Sequence, residues 1–141
     1  TDKKNKINKI IMKKIDYIAT IGFYLCNVIL FIFYLFPGSI LGYFLYNNLY
    51  IQPQITKDFI ISSNHFYLFI TLSTIGIVAY HNTNKIRFLI KYLFLLSIIL
   101  ELLHIIIPNR GFEWSDLFGN IIGVLLVLII YKIKKKYEQI N

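Results

Sequence analysis

Residues 88–136 read FLIKYLFLLSIILELLHIIIPNRGFEWSDLFGNIIGVLLVLIIYKIKKK. Two long apolar runs flank the polar connection Pro108 to Ser115, and a cluster of lysines closes the second. At 1.5 Å rise per residue, a helix of about 20 residues spans a hydrocarbon core of about 30 Å. The stretch therefore reads as two antiparallel membrane helices joined by a tight turn, Phe88 to Ile107 and Leu117 to about Ile133. Pro108 is expected to close the first, because the residue before a proline is pushed out of helical geometry. Ser115 and Asp116 are candidate N-caps of the second.

Upstream, Tyr17 to Phe36 is a further apolar run, ended by Pro37 and Gly38, and His65 to Tyr80 is a shorter one that Ile60 and Ile61 would extend. The expected fold class is an all-α membrane protein, a four-transmembrane-helix bundle forming a single domain over residues 1–141. Hydrophobic residues make up 57% of the 141 and mean hydropathy is +0.61, more apolar surface than a soluble core of this size would hide. No small-residue cleavage site follows the first apolar run, which reads as a retained span rather than a signal peptide. Between the first two spans, Pro37 to Asn64 places Ile40, Leu41, Phe44 and Leu45 at helical spacing, with Tyr43, Tyr46 and Tyr50 at positions suited to an interface. An amphipathic interfacial segment in the first outer loop is expected there, and Asn47, Asn48 and Pro53 oppose a fifth crossing.

Basic residues orient the bundle. Lys3, Lys4, Lys6, Lys9, Lys13 and Lys14 precede the first span, Lys85, Arg87 and Lys91 flank the second turn, and four lysines follow the last span. Only Lys57 and Arg110 fall on the other side, a bias of 13 to 2 that places both termini in the cytoplasm. Residues 1–14 and 134–141 are then basic cytoplasmic extensions. Asn5 to Ile15, with Ile7, Ile10, Ile11 and Ile15 near one face, reads either as an interfacial helix on anionic lipid or as a topogenic tail. The net charge of +8 belongs to these ends and not to a nucleic-acid surface, so membrane lipids are the expected partners. Cys26 stands alone in an apolar run, which excludes a disulfide framework within one chain.

Alternating crossings bring the start of span two, the end of span three and the start of span four to one outer surface. Glu101 and His104 share a helix face, with Ser97 a turn below; Asp116, Asn120 and Gly123 form a stripe on the next helix; His65 opens span two and Arg110 lies in the connection. An ionisable group at membrane depth costs a few kcal/mol and faces a partner or a wet cavity. Three readings stay open. Glu101 pairs with Arg110 in a structural network; or His65, Glu101, His104, Arg110, Asp116 and Asn120 form a ligand site with Arg110 as the anion contact; or Glu101 and His104 do acid/base chemistry. A metal would use His65, Glu101, His104 and Asp116, but one Glu-x-x-His element is weak evidence. No HExxH, P-loop or GxSxG motif supports another enzyme class, and no cofactor is expected. His81 reads as a solvated turn residue, Trp114 as an interface anchor, and Asn27 as an interhelical hydrogen-bond donor.

The segment ELLHIIIPNRGFEWSDLFGNIIG (101–123) resembles the VanZ-like family, whose signature is a Glu, a Gln three later, a Pro-x-Arg turn, then Asp, Asn and Gly at helical spacing. Glu101, Pro108, Arg110, Asp116, Asn120 and Gly123 match, and SNHFYLF around His65 is similar to the family's His at the head of its second helix. His104 stands at the Gln position, Val127 where a glycine is usual, and the acidic-Lys pair before the His is not at Ile61 and Ser62. The resemblance implies a small bacterial envelope protein of the cytoplasmic (inner) membrane. The family's namesake confers resistance to the glycopeptide teicoplanin, and some relatives are associated with extracellular polysaccharide.

The leading expectation is thus an accessory, non-enzymatic protein that binds a lipid-linked glycan or glycopeptide at the outer leaflet. The alternatives are an enzyme using Glu101 or His104 on a lipid-linked substrate, and a structural subunit whose Gly119 and Gly123 face meets a membrane-protein partner or a second copy.

Overall fold

The computed structural model describes residues 2–58 and 60–140. Thr1 and Asn141, the outermost residues of the two expected basic extensions, lie outside the described residues, as does Phe59. The described residues form five helices in the order α1 (Asp2–Leu35), α2 (Ile40–Tyr46), α3 (Ser63–Tyr80), α4 (Ile86–Leu103) and α5 (Trp114–Ile140).

Helix α1 runs unbroken for 34 residues, about 51 Å, so Asn5 to Ile15 is its first part and not a separate interfacial helix. It stops before Pro37 and Gly38, whose φ of +92° turns the chain. Helix α2 is the expected amphipathic segment. The Ser39 side chain caps it by accepting from the Gly42 N–H at 2.9 Å, and Asn47 ends it in the left-handed conformation. A side chain at Gly42 would collide with the Ile51 and Asn48 carbonyls, so the return of the 47–51 strand of loop over this helix needs glycine. Phe44, Leu45 and Tyr46 point outward.

Two helices, α1 and α5, are long and apolar enough to cross a membrane. Among the described residues two of the four expected spans, the first and the fourth, are therefore helices of that kind, and the expected second and third fall on helices that are not. Helices α3 and α4 have 18 residues each, about 27 Å; α4 carries Arg87, Lys91 and Glu101, and α3 opens on Ser63, Asn64 and His65.

Span boundaries also move. Helix α4 ends at Leu103 rather than Ile107 because the chain tightens there: the His104, Ile105 and Ile106 amides bond back to the carbonyls of Glu101, Leu102 and Leu103 at 3.1 to 3.2 Å, the i to i+3 pattern of a closing turn. Helix α5 starts at Trp114, so Ser115 and Asp116 sit inside its first turn and are not caps. Its far end continues through the lysines to Ile140.

Helix α3 occupies the centre, against α5 on one side and α1 on the other, with α4 packed on α5. Gly119 and Gly123 make the α3–α5 seam. A Cβ at Gly119 would lie 2.8 Å from the Ser62 carbonyl oxygen, and one at Gly123 2.8 Å from that of Phe66. This is the small-xxx-small geometry that lets backbones approach, and it is closed within the chain: the face expected to meet a partner is covered by α3. The core joins Leu30, Phe69, Leu72, Leu93, Leu100 and Val124. Asn27, Ser73, Ser97, Glu101, His104 and Asn120 are also buried, whereas Ile29, Ile32, Leu95, Ile99, Leu126 and Ile129 are exposed.

Candidate functional site

Four helix ends converge on the polar cluster: the C-terminal ends of α1 and α4 and the N-terminal ends of α3 and α5. Helix α4 delivers Glu101, which is fully buried, and the turn after it delivers His104, 1% exposed. Glu101 Oε1 accepts from the Glu113 backbone N–H at 3.0 Å, which ties the connection down over the cluster. Its Oε2 lies 3.3 Å from His104 Nδ1 and 3.8 Å from His65 Nδ1.

His65 is held from two sides. Its Nδ1 lies 3.1 Å from Asn120 Oδ1 and 2.9 Å from the Tyr34 hydroxyl, and its Nε2 faces Asp116 Oδ2 at 3.1 Å. Tyr34 donates to Asn120 Oδ1 at 2.7 Å, and the Asn120 amide donates to the Ser97 carbonyl at 3.1 Å. His104 Nε2 reaches the backbone carbonyl of Tyr34 at 3.1 Å while its ring stacks on the Tyr34 ring. The i, i+4 spacing of Asp116 and Asn120 thus grips both nitrogens of one imidazole, one nitrogen each.

Arg110 does not pair with Glu101, as the structural-network reading required. It reaches across to the end of α1, where Nη2 donates to the Phe33 carbonyl at 2.8 Å and Nε to that of Phe36 at 3.4 Å, with Nη1 3.4 Å from Gln52 Oε1. The last carbonyls of a helix are unpaired and carry its negative dipole end, so they attract a guanidinium. Burial pulls the Arg110 guanidinium below its ordinary pKa, while Tyr34, Asp116 and Glu101 act to hold it up.

A cavity of about 420 Å³ opens beside these groups, between α1, α3 and the segment after α2. Tyr34, His65, His104, Arg110, Gln52 and Asn64 supply its polar wall, and Leu30, Phe33 and Leu68 are among its apolar lining. The loop that frames it is pinned to α3. The Asn64 side chain accepts from the Ile55 N–H and donates to the Pro53 carbonyl, and Asp58 caps α3 by accepting from the Ser63 N–H at 2.7 Å.

The chain matches no family model, no curated protein and no solved structure.

All six sequence-derived candidates lie at one end of the bundle, five of them in the contact network and Arg110 at the cavity wall. Tyr34 was not among them. Its signal was faint but present: Phe23, Asn27, Leu30 and Tyr34 are the buried positions of α1 at spacings of four, three and four, one inward stripe that ends on a hydroxyl. Lower on that stripe, Asn27 donates to the Phe23 carbonyl within its own helix and accepts from the Tyr92 hydroxyl. Its interhelical role is therefore that of acceptor, not donor. His81 caps α3 in the exposed turn, and Trp114 is exposed and stacked on Phe118.

Proposed function

We propose that this chain is a multi-pass protein of the bacterial cytoplasmic membrane, VanZ-like in its Glu101 to Gly123 signature. In this reading it crosses four times with both termini inside and binds an amphipathic ligand bearing phosphate or carboxylate, a lipid-linked glycan or a glycopeptide, at its outer end. The observation that carries the reading is Arg110: a guanidinium with no carboxylate among the described residues within ion-pair distance, in the wall of a cavity whose lining is mostly apolar. Such a site offers a charge-assisted contact to an anionic head and an apolar wall to its chain. The ring of exposed Ile and Leu around a polar interior supports immersion in lipid. Helices of about 27 Å cross a core of about 30 Å where the bilayer thins or flanking residues snorkel.

The test is binding of polyprenyl phosphate to the protein in lipid nanodiscs, with the uncharged polyprenol as comparison. The phosphate is expected to be preferred, and Arg110→Gln to weaken it about tenfold without changing affinity for the alcohol. Equal binding of both lipids by the parent protein would remove the reading.

A second reading, an enzyme on the same ligand class, is supported by His104, which lines the cavity with Nδ1 3.3 Å from Glu101 Oε2. Such a pair can relay a proton. His104→Gln would then abolish turnover of a polyprenyl-linked glycan while leaving its binding intact.

A further inference from the structure

The cluster beneath the cavity leaves one buried carboxylate oxygen, Glu101 Oε2, without a hydrogen-bond donor. His104 Nε2 faces the Tyr34 carbonyl oxygen, which can only accept, so the proton of a neutral His104 sits on Nε2 and the lone pair of Nδ1 points at Glu101 Oε2. Tyr34 has a single proton to donate, and His65 Nδ1 faces the same Asn120 Oδ1 that the hydroxyl does. With that proton on Asn120 a neutral His65 is protonated on Nδ1 and turns the lone pair of Nε2 toward Asp116 Oδ2 at 3.1 Å; with it on His65 Nδ1, 2.9 Å away, Nε2–H donates to Asp116 instead. In either arrangement a neutral His104 aims its lone pair at Glu101 Oε2. Glu101 Oε2 is buried and accepts no hydrogen bond. With both imidazoles neutral, the buried Glu101 carboxylate has no ion-pair partner, which is costly in an apolar bundle.

We propose that His65, Glu101 and Asp116 bind one divalent cation, Zn²⁺ by the chemistry of its donors, where α3, α4 and α5 meet. One ligand atom from each of the three lies within 4.8 Å of the others. Ligand atoms around a tetrahedral Zn²⁺ with bonds of about 2.1 Å are about 3.4 Å apart, so the longest separation must close by up to about 1.4 Å, within the reach of a carboxylate rotation. One imidazole and two carboxylates suit a borderline cation and cancel its charge. The outer contacts of a metal site are already present: Asn120 fixes the His65 ring through Nδ1, and the Glu113 amide fixes Glu101 through Oε1. His104 falls outside the three-ligand set, beside Glu101 Oε2. Three protein ligands leave a coordination position open, and His65 itself lines the cavity.

The test uses the full chain purified on an affinity tag free of histidine, stripped with EDTA, and dialysed against Zn²⁺ or Mn²⁺. About one Zn²⁺ per chain is expected to remain, the thermal midpoint to rise by several degrees, and EDTA to reverse the rise. Glu101→Gln and Asp116→Asn, which keep the side-chain shapes, should lose both the metal and the rise. Arg110→Gln should keep both, which separates this site from the proposed anion contact. Bound protons would satisfy the same geometry; in that case the parent protein retains no metal, and the double variant is at least as stable, which overturns the proposal. Should the variants fail to fold, X-ray absorption on the Zn²⁺-loaded parent decides: one imidazole with oxygen neighbours supports the site, and a shell with sulfur or two imidazoles overturns it.

Discussion

Tyr34 ties α1 to the site through one hydroxyl. That group touches Asn120 and His65, and the ring above it stacks on His104, so Tyr34→Phe deletes two contacts without changing the packing volume. A buried hydrogen bond is worth about 1 kcal/mol net, and an acceptor left unsatisfied costs somewhat more. Tyr34→Phe is expected to destabilise the protein by about 1 to 2 kcal/mol in detergent unfolding, with Tyr50→Phe, at an exposed position, indistinguishable from the parent. At this scale the sequence named most of the site, because Glu101, His104, Asp116 and Asn120 announce themselves by lying in apolar helices. Tyr34 did not, since tyrosine near the end of a span reads first as an interface anchor. The partner of Arg110 was equally hidden. Sequence shows that Arg110 follows Glu101 in a short connection, but the carbonyls it binds belong to α1, and main-chain acceptors carry no residue-type signal.

Helices α3 and α5 approach through two glycines, and the approach sets the site as much as the fold. The missing side chain at Gly119 is what lets α5 pass the α3 N-terminus: a Cβ there would stand 2.8 Å from the Ser62 oxygen and 3.2 Å from the His65 Cβ. Gly119→Ala must push the helices apart at the level where Asp116 grips His65. A loss of about 1 to 3 kcal/mol is expected from such overpacking, read as a fall in thermal midpoint. Gly111→Ala, with nothing within 4 Å of the new methyl, should leave the midpoint unchanged. The helices themselves were legible from hydropathy and from the Pro and Gly punctuation, including the short α2. Their ends were not. Pro108 marks a place where a helix cannot continue, whereas α4 stops at Leu103 because a tighter turn carries His104 back under α1. Likewise, the lysines after Ile133 end the apolar surface but not the hydrogen-bonded ladder of α5, since lysine is itself a good helix former.

For the whole molecule, charge and polarity separate along the bundle axis. The polar cluster, Arg110 and the loop from Pro37 to Asn64 occupy one end. At the other, the turn between α3 and α4 carries Lys85, α1 continues into its six lysines, and α5 runs out through Lys132, Lys134, Lys135 and Lys136. In the proposed membrane reading, anionic inner-leaflet lipid and the positive-inside bias would act on the same end, so one orientation is expected to dominate. Thiol labelling in intact cells can read it, starting from a Cys26→Ala background. Gln54→Cys, in the exposed loop, should react with a membrane-impermeant maleimide added outside. Asn82→Cys, in the exposed α3–α4 turn, should react only after the membrane is opened. Because α3 and α4 are the short helices, this pair also tests whether they cross at all. If both positions label from outside in intact cells, the α3–α4 hairpin does not traverse the bilayer, and α1 and α5 are the only spans. If neither labels until permeabilisation, the site faces the cytoplasm and cannot receive a ligand from the outer leaflet.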